Sequence, residues 1–247
     1  MGDSLPAVDL GTGRTAAAIT AGGYHTCALL DNGQVKCWGY NAYGQLGLGN
    51  SGDRGDGSGE MGDSLPAVDL GTGRTATAIT AGIEHTCAPL DNGQVKCWGL
   101  GFFGRLGLGD TDVRGDGPGE MGDSLPAVDL GTGRTAAAIS TGNIHTCALL
   151  DNGQVKCWGY NAYGQLGLGN SVDRGDGPSR SILQFHSVGC LRNVRSGICG
   201  APPRKVSASM IFKKPAVELL AGDRGEPVVQ RMAAIVAPCG SRPEKVS

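Results

Sequence analysis

The chain has 247 residues, of which 44 are glycine and only 5% are aromatic, and this composition favours short elements joined by many turns over a large helical core. The formal net charge of −2 hides two regions of opposite sign: residues 1–178 hold 19 acidic and 10 basic residues, and residues 179–247 hold 4 and 11. An acidic region lacks the cationic surface that phosphate backbones require, which argues against nucleic-acid binding by residues 1–178.

A period of 60 residues organises most of the sequence. The decapeptide Met1–Leu10 recurs unchanged from Met61 and again from Met121. The first and third copies differ at six of 58 aligned positions, which is the pattern of recent tandem duplication. We therefore predict three repeats, at 1–60, 61–120 and 121–178.

Each repeat contains four short segments of strand character. In the first repeat, extended runs at Ala7–Leu10 and Thr15–Thr20 precede His25–Leu30 and Gln34–Gly39. The last two flank Asp31–Gly33, which has the composition of a three-residue hairpin loop with glycine at the left-handed position. The structural glycines of these turns are Gly33, Gly93 and Gly153. The sequence thus predicts an all-β fold of β-propeller-type blades, each of four antiparallel strands, incomplete because only about three blades are encoded.

The hairpin register brings the cysteines together. With Asp31–Gly33 as the loop, Cys27 lies opposite Cys37 in a non-hydrogen-bonded pair with Cα atoms about 4.5 Å apart, which a disulfide accepts. We therefore predict one disulfide per repeat, Cys27–Cys37, Cys87–Cys97 and Cys147–Cys157. Two alternatives stay open, reduced buried cysteines and a metal site of His25 with the same two sulfurs. Because that set offers only three ligands, we expect no metal and no cofactor.

The tryptophans lie on the other face of the hairpin. Trp38 falls opposite Thr26, and the large indole ring is suited to packing between neighbouring blades. The same structural role is predicted for Trp38, Trp98 and Trp158.

The cellular compartment stays open. No apolar run reaches the length of a membrane span, and the first residues lack the basic and apolar parts of a signal peptide. We therefore expect no membrane partner. The lack of a signal-peptide pattern would indicate a cytoplasmic location, whereas oxidised cysteine pairs would indicate an extracellular one.

Two short motifs are compatible with chemistry but lack its context. Gly11–Ala16 loosely matches a dinucleotide fingerprint, yet a strand-like run follows it where the fingerprint requires a helix. Arg54–Asp56 matches an adhesion tripeptide that recurs easily by chance, so a surface loop is the simpler interpretation. No serine, histidine and acid set suggests catalysis, and we expect no enzymatic activity.

The repeats differ from one another at positions that flank the strands and carry the aromatic side chains. A scaffold with fixed strands and changing aromatic loops is typical of a binding surface, although neutral drift explains the variation equally well. The candidate binding residues are Tyr24, Tyr40, Tyr43, Glu84, Phe102, Phe103, Arg105, Ile144, Tyr160 and Tyr163.

A family resemblance rests on Ala21–Leu30, Asp31–Gly39, Asn41 and Gly44–Gly47, which combine glycine, strand, turn, Trp-Gly and Gly-Gln-Leu-Gly. This pattern resembles the regulator of chromosome condensation repeat, shared with β-lactamase inhibitor protein II, and it occurs in all three copies. The resemblance implies a seven-bladed propeller that binds proteins; in the founding member this role is nucleotide exchange on the small GTPase Ran. Three repeats supply fewer blades than the four to eight from which propellers close.

Residues 179–247 do not continue the period, and their proline, glycine and basic residues predict a divergent basic tail that is poorly ordered or weakly helical. For the whole chain we expect a non-catalytic protein-binding scaffold with an unidentified protein partner. The alternatives are a guanyl-nucleotide exchange factor for a small GTPase and a secreted structural array held by disulfides. An open fan of three blades would expose an apolar face at each end, which leaves three alternatives: further repeats belong to the fan, copies associate through their open blade edges, or the fan is incomplete.

Overall fold

A computed structural model gives the structure of residues 2–177, and the prediction for residues 179–247 lies outside these described residues. Within them, nine strands occur, with bounds β1 Ala16–Ala21, β2 His25–Leu30, β3 Val35–Gly39, β4 Thr80–Ala81, β5 His85–Pro89, β6 Val95–Gly99, β7 Ala136–Thr141, β8 His145–Leu150 and β9 Val155–Gly159. Short 3-10 helices lie at Gly2–Ser4, Gly62–Ser64, Phe102–Gly104 and Gly122–Ser124. None of the helices in this part of the chain is long and apolar enough to cross a membrane.

The strands form three antiparallel sheets in the orders β1-β2-β3, β4-β5-β6 and β7-β8-β9, which we call blades 1, 2 and 3. The hairpin turn has the predicted form, because the N–H of Leu30 donates to the carbonyl of Gln34 at 2.8 Å and Gly33 has a φ of +78°. Glycine adopts this left-handed conformation without a steric penalty. The register pairs Cys27 with Cys37, and the predicted all-β fold of propeller-type blades is confirmed.

The prediction of four strands per blade is wrong in one respect, since each sheet in the described residues has three. The segment 7–10 is not a strand, because its polar backbone serves contacts between repeats: the carbonyl of Asp9 accepts from the N–H of Gly62 at 3.1 Å. In the described part of blade 1, the only pairing beyond the third strand is a single β-bridge between Gly39 and Arg54.

Blade 2 has a short inner strand because a proline interrupts its pairing. Strand β4 has two residues, whereas β1 and β7 have six. Leu29 pairs with Ala18 in blade 1, but Pro89 occupies the equivalent position of β5 and has no N–H for the ladder. Thr77 restores part of the contact, since its N–H and hydroxyl donate to the Pro89 carbonyl at 2.9 and 3.2 Å.

The three predicted disulfides are present, as Cys27–Cys37, Cys87–Cys97 and Cys147–Cys157. The Cα atoms of each pair are 4.1 Å apart, which agrees with a non-hydrogen-bonded pair of antiparallel residues. The bridges of blades 1 and 2 are buried, whereas that of blade 3 is partly exposed because no described blade follows it.

The hydrophobic core lies between the blades. Cys27 and Val35 of blade 1 share a buried cluster with Trp98 of blade 2, and Trp158 occupies the same position between blades 2 and 3. The indole Nε1 of Trp98 donates to the carbonyl of Gln45 at 3.1 Å, so the one polar atom of this ring has a partner. Truncating a buried tryptophan to alanine typically costs about 3–5 kcal/mol, which makes this contact a major source of cohesion between blades.

A buried histidine also joins each pair of blades. The Nε2 of His25 lies 2.8 Å from the hydroxyl of Thr86, and that of His85 lies 3.0 Å from the hydroxyl of Thr146. Each threonine hydroxyl donates to a carbonyl of the preceding blade, at 2.8 and 3.0 Å, so it accepts from a histidine that carries its proton on Nε2. Burial lowers the pKa of His25 to about 4 and that of His85 to about 3, which keeps both rings neutral.

We expect no more than three reactive thiols in the denatured, unreduced chain, because the six cysteines of the described residues are bridged and the other three of the nine lie outside those residues. Titration with a chromogenic thiol reagent measures this number, and reduction should raise it to nine. Each bridge closes a loop whose entropic contribution is about 2–3 kcal/mol, so reduction should also lower the urea midpoint. Nine thiols before reduction would show that the bridges do not form.

Lowering the pH from about 7.5 to 5 should reduce the free energy of unfolding. The unfolded chain protonates histidine below about pH 6.5, whereas the folded chain keeps His25 and His85 neutral down to their pKa values of about 4 and 3. Their contribution is complete above pH 6.5 and is lost as the pH falls towards those values, by on the order of 1 kcal/mol per pH unit for each ring. Urea unfolding at both pH values measures the loss. The variant His85→Gln does not titrate at this position and should lose less; an equal loss in both proteins would contradict the assignment.

Candidate functional site

The variable positions of the repeats converge on one end of each blade. Tyr24 precedes β2 and Tyr40 follows β3, and the N–H of Tyr40 donates to the carbonyl of Tyr24 at 3.0 Å. The same bond joins Tyr160 to Ile144 in blade 3, also at 3.0 Å. Because the two strands are antiparallel, this end lies opposite the hairpin turn. We call the aromatic side chains at this end the loop surface; they are Tyr24, Tyr40, Tyr43, Phe102, Phe103, Tyr160 and Tyr163.

The rings of the loop surface contact one another. In blade 1, Tyr40 packs edge to face with Tyr24 and Tyr43, with ring centroids 6.1 and 6.3 Å apart. In blade 3, Tyr160 and Tyr163 form the equivalent pair at 6.2 Å. These geometries are favourable for aromatic pairs and restrict the rings while leaving Tyr24 and Tyr163 well exposed.

The loop of blade 2 contacts that of blade 3, and its side chains differ from those of both neighbouring blades. The ring of Phe103 lies 4.9 Å from that of Tyr160. The side chain of Arg105 lies next to the ring of Phe103 and is buried. Its Nε donates to the carbonyl of Phe102 at 3.0 Å, and its guanidinium is 3.8 Å from the carboxylate of Glu84. Burial lowers the pKa of Arg105 and the Glu84 charge opposes this shift. Arg105 therefore supports the loop from below and does not present its charge to solvent.

Two buried asparagines, which are not among the predicted site residues, shape the loops of blades 1 and 3. The amide of Asn41 donates to two loop carbonyls at 2.7 and 3.0 Å and accepts from the N–H of Leu46 at 2.9 Å. Asn161 makes the same set of bonds. Blade 2 has Gly101 at this position, and there Phe103 adopts a φ of +62°. An asparagine repeated within a glycine-rich loop is the signal that would have identified this support.

Electrostatic contacts also connect blades 1 and 2. Burial, followed by the proximity of Tyr43 and Glu84, raises the pKa of Tyr40 above its usual value. At neutral pH the phenol is protonated, as tyrosine is at its ordinary pKa of about 10, and it can donate a hydrogen bond.

The tripeptide Arg54–Asp56 is part of a closed turn. The carboxylate of Glu60 accepts from the N–H groups of Gly57 and Gly55, both at 2.9 Å, and these bonds lower its pKa. This geometry favours the interpretation of the tripeptide as a surface loop with a structural cap.

The residues that the sequence offers as metal ligands have other partners in the structure. The sulfurs of Cys27 and Cys37 form a bridge, and the Nε2 of His25 bonds to a threonine of blade 2. Among residues 2–177, no group of three or more histidine, cysteine or acidic side chains has a metal-binding arrangement.

Comparison with known proteins identifies the repeat. A sequence model of the Regulator of chromosome condensation (RCC1) repeat matches residues 16–45, 76–105 and 136–165, and a second one matches residues 32–88. The chain is 33% identical over 165 residues to the Ultraviolet-B receptor UVR8 of Arabidopsis thaliana, covering 66% of this chain and 33% of the receptor. It is 31% identical over 160 residues to the probable E3 ubiquitin-protein ligase HERC6 of Homo sapiens, covering 65% and 14%. The chain therefore spans at most a third of either relative.

Solved structures with similar blades include yeast RCC1 (Prp20) bound to Kap60, with a TM-score of 0.49, 20% identity and coverage of 66% of this chain and 35% of that chain. Prp20p from Saccharomyces cerevisiae, described with its binding properties to Gsp1p and histones, has a TM-score of 0.47 at 21% identity, covering 67% and 36%. Both structures concern a protein that binds other proteins.

Phe103→Gly is expected to be more stable than Phe103→Ala by about 1 kcal/mol, because only glycine adopts a positive φ without steric cost. Both variants lose the ring contact with Tyr160, so urea unfolding of the pair isolates the backbone effect. The control pair is Phe102→Gly and Phe102→Ala, at a neighbouring position without a positive φ, where alanine should be at least as stable. Equal stability of the two Phe103 variants would show that the backbone there is not left-handed.

Proposed function

Because the chain carries three RCC1 repeats, we propose that it is a non-catalytic protein-binding scaffold and that the loop surface is its contact site. The observation that carries this proposal is the presence of two aromatic clusters at the loop end of the blades, one of Tyr24, Tyr40 and Tyr43 in blade 1 and one of Phe103, Tyr160 and Tyr163 across blades 2 and 3. Aromatic residues are enriched in protein interfaces and lose little conformational entropy on binding. A disulfide-linked frame positions these rings before a partner arrives, which lowers the cost of association.

The polar groups of the blades support a non-catalytic role. The side chains of His25 and His85 are buried between blades with Nε2 bonded to threonine, and the cysteines of all three blades are bridged. Histidine and cysteine are common general bases and nucleophiles, but these groups face structural partners rather than an open cleft.

The charge of the repeats suggests the chemistry of the partner. Residues 1–178 hold 19 acidic and 10 basic residues, and Arg105, which lies next to the ring of Phe103, is buried. Complementary potentials favour association, so the partner should present a basic surface to the loops. Binding should then weaken as the salt concentration rises.

Two double variants test the loop surface, Tyr40→Ala with Tyr43→Ala and Tyr160→Ala with Tyr163→Ala. Each should lower the affinity for protein partners about tenfold or more, which is the scale of losing a central aromatic anchor. Partners are captured with the full chain, identified by mass spectrometry and then titrated as purified proteins. The matched control is Ile19→Ala, an exposed apolar residue in the middle of β1, which should bind normally. Unchanged affinity in both double variants would overturn the proposal.

The two alternative functions give different outcomes in companion measurements. We expect the full chain not to accelerate release of labelled GDP from Ran, and acceleration would assign exchange activity instead. If the chain is a secreted structural array, the loop surface should bind no partner, and the three disulfides should still be present.

A further inference from the structure

The loop end of blade 2, opposite its hairpin turn, lies between the loop ends of both neighbouring blades. The carbonyl of Gly82 accepts from the N–H of Gly23 in blade 1 at 3.1 Å. The N–H of Ile83 donates to the carbonyl of Asn143 in blade 3 at 3.0 Å. Glu84 follows directly and is the last residue before β5. The surroundings of Glu84 are therefore described with a blade on either side.

The carboxylate of Glu84 has acceptor capacity that the structure leaves unused. Its side chain is 23% exposed, and among residues 2–177 it accepts no hydrogen bond. Its ionic contact is the Nη1 of Arg105 at 3.8 Å, which is longer than a hydrogen bond. A carboxylate offers about four lone-pair sites, so Glu84 can accept from a second cation on its exposed side.

Aromatic rings of the same blade lie next to this ion pair. The guanidinium carbon of Arg105 is 5.9 Å from the centroid of the Phe103 ring, and the Nη1 of that guanidinium contacts Glu84. Phe103 is 42% exposed and Phe102 is 58% exposed, although blade 2 has a described blade on each side. Blade 2 thus presents a carboxylate and two exposed rings at one loop end.

Blade 1 adds phenol rings and a second carboxylate. Burial and the neighbouring Tyr43 raise the pKa of Tyr40. The charges of Glu84 and Asp53 raise this pKa further, because both carboxylates lie near the phenol. The Oδ1 of Asp53 also accepts a loop N–H at 2.8 Å, which holds this carboxylate in place. Two carboxylates against the single guanidinium of Arg105 leave the local charge negative.

The packing of the repeat does not require this pair of charges. The position of Glu84 holds tyrosine in blade 1 and isoleucine in blade 3, and that of Arg105 holds glutamine in both. A buried guanidinium is costly even when a carboxylate offsets its charge, whereas the neutral glutamine fits the same place in both neighbouring blades. The charged pair of blade 2 therefore favours a role in binding over one in packing.

We propose that Glu84, with the rings of Tyr40 and Phe103 near it, is the site at which the loop surface takes an arginine side chain of its protein partner. This inference rests on the proposed function and names the group of the partner that is recognised. Arginine fits because its planar guanidinium stacks on aromatic rings and donates two parallel hydrogen bonds to a carboxylate. The negative local charge attracts the same cation.

Titration of the full chain with a labelled oligo-arginine peptide tests the site. At about 0.15 M salt, charges more than about 8 Å apart are largely screened, so the measurement reports close contacts. Glu84→Gln should raise the dissociation constant about tenfold, which is the scale of losing a close charge pair. The matched control Asp91→Asn removes the same charge at the hairpin end of blade 2, where Asp91 pairs with Arg74 at 3.2 Å. It should change the constant by less than about twofold. Equal effects of both variants, or no binding by the wild-type chain, would refute the proposal.

A second variant separates binding from folding. Glu84→Gln leaves the buried Arg105 without its counter-charge, so it is compared with the double variant Glu84→Ile with Arg105→Gln. This double variant gives blade 2 the residues of blade 3 at both positions, Ile144 and Gln165. It should unfold at no lower urea concentration than Glu84→Gln does, and it should bind the peptide as weakly. Wild-type affinity in the folded double variant would rule out a site at Glu84.

An oligo-lysine peptide of the same length distinguishes recognition of arginine from general attraction of cations. The wild-type chain should bind it about fivefold more weakly, because lysine has neither the plane nor the fork of arginine. Glu84→Gln should bind both peptides with similar affinity. Equal affinity of the wild-type chain for the two peptides would contradict the assignment to arginine.

The proposed function is judged separately, on the captured protein partners. If Tyr40→Ala with Tyr43→Ala weakens their binding and Glu84→Gln does not, the arginine site is wrong and the loop surface remains the contact site. If neither variant weakens it, nor does Tyr160→Ala with Tyr163→Ala, both proposals are wrong.

Discussion

The rest of the structure depends on the register that the Asp-Asn-Gly turn sets between the second and third strands of each blade. With the left-handed glycine in place, Cys27 faces Cys37, and alternate residues point to opposite neighbours. A slip of one residue would turn Cys27, Val35 and His25, which face blade 2, towards the opposite side of the sheet. The disulfide fixes this register covalently, so a small sheet of three strands keeps a defined pair of faces.

Stability is shared between neighbours because each core lies between two blades. The ring of Trp98 fills the gap that Gly47 leaves, where an added Cβ would lie 2.8 Å from the indole nitrogen. The histidine and threonine pairs add polar contacts that are satisfied only when adjacent blades are correctly aligned. Such buried polar contacts penalise misaligned packing more than apolar contacts do. Repeat proteins of this kind gain most of their stability from contacts with neighbours.

Variation among the repeats falls mainly in loops that this packing tolerates, and the strands change at few positions, of which Pro89 accompanies the shortening of β4. The loops at the open end of the hairpins change from tyrosine to phenylalanine, and from asparagine to glycine at position 101, without altering the strand register. The strands carry the contacts between blades, so they change little. This separation lets a rigid frame present different side chains in each blade, which is the physical basis of a binding scaffold.

The sequence alone determined the 60-residue period and the position of the variable loops, because both can be read by comparing the three copies. It also determined the hairpin register that places Cys27 opposite Cys37, because this register follows from local turn chemistry and the two-residue period of a strand. It did not determine that residues 7–10 serve the neighbouring repeat, that Arg105 is buried or that His25 meets Thr86. These contacts join residues far apart in the sequence. The alternation of side chains along a strand shows which face a residue occupies, but it does not show which part of the chain packs against that face. Only the packing of one blade on the next supplies the partner, and with it the burial and the hydrogen bonds.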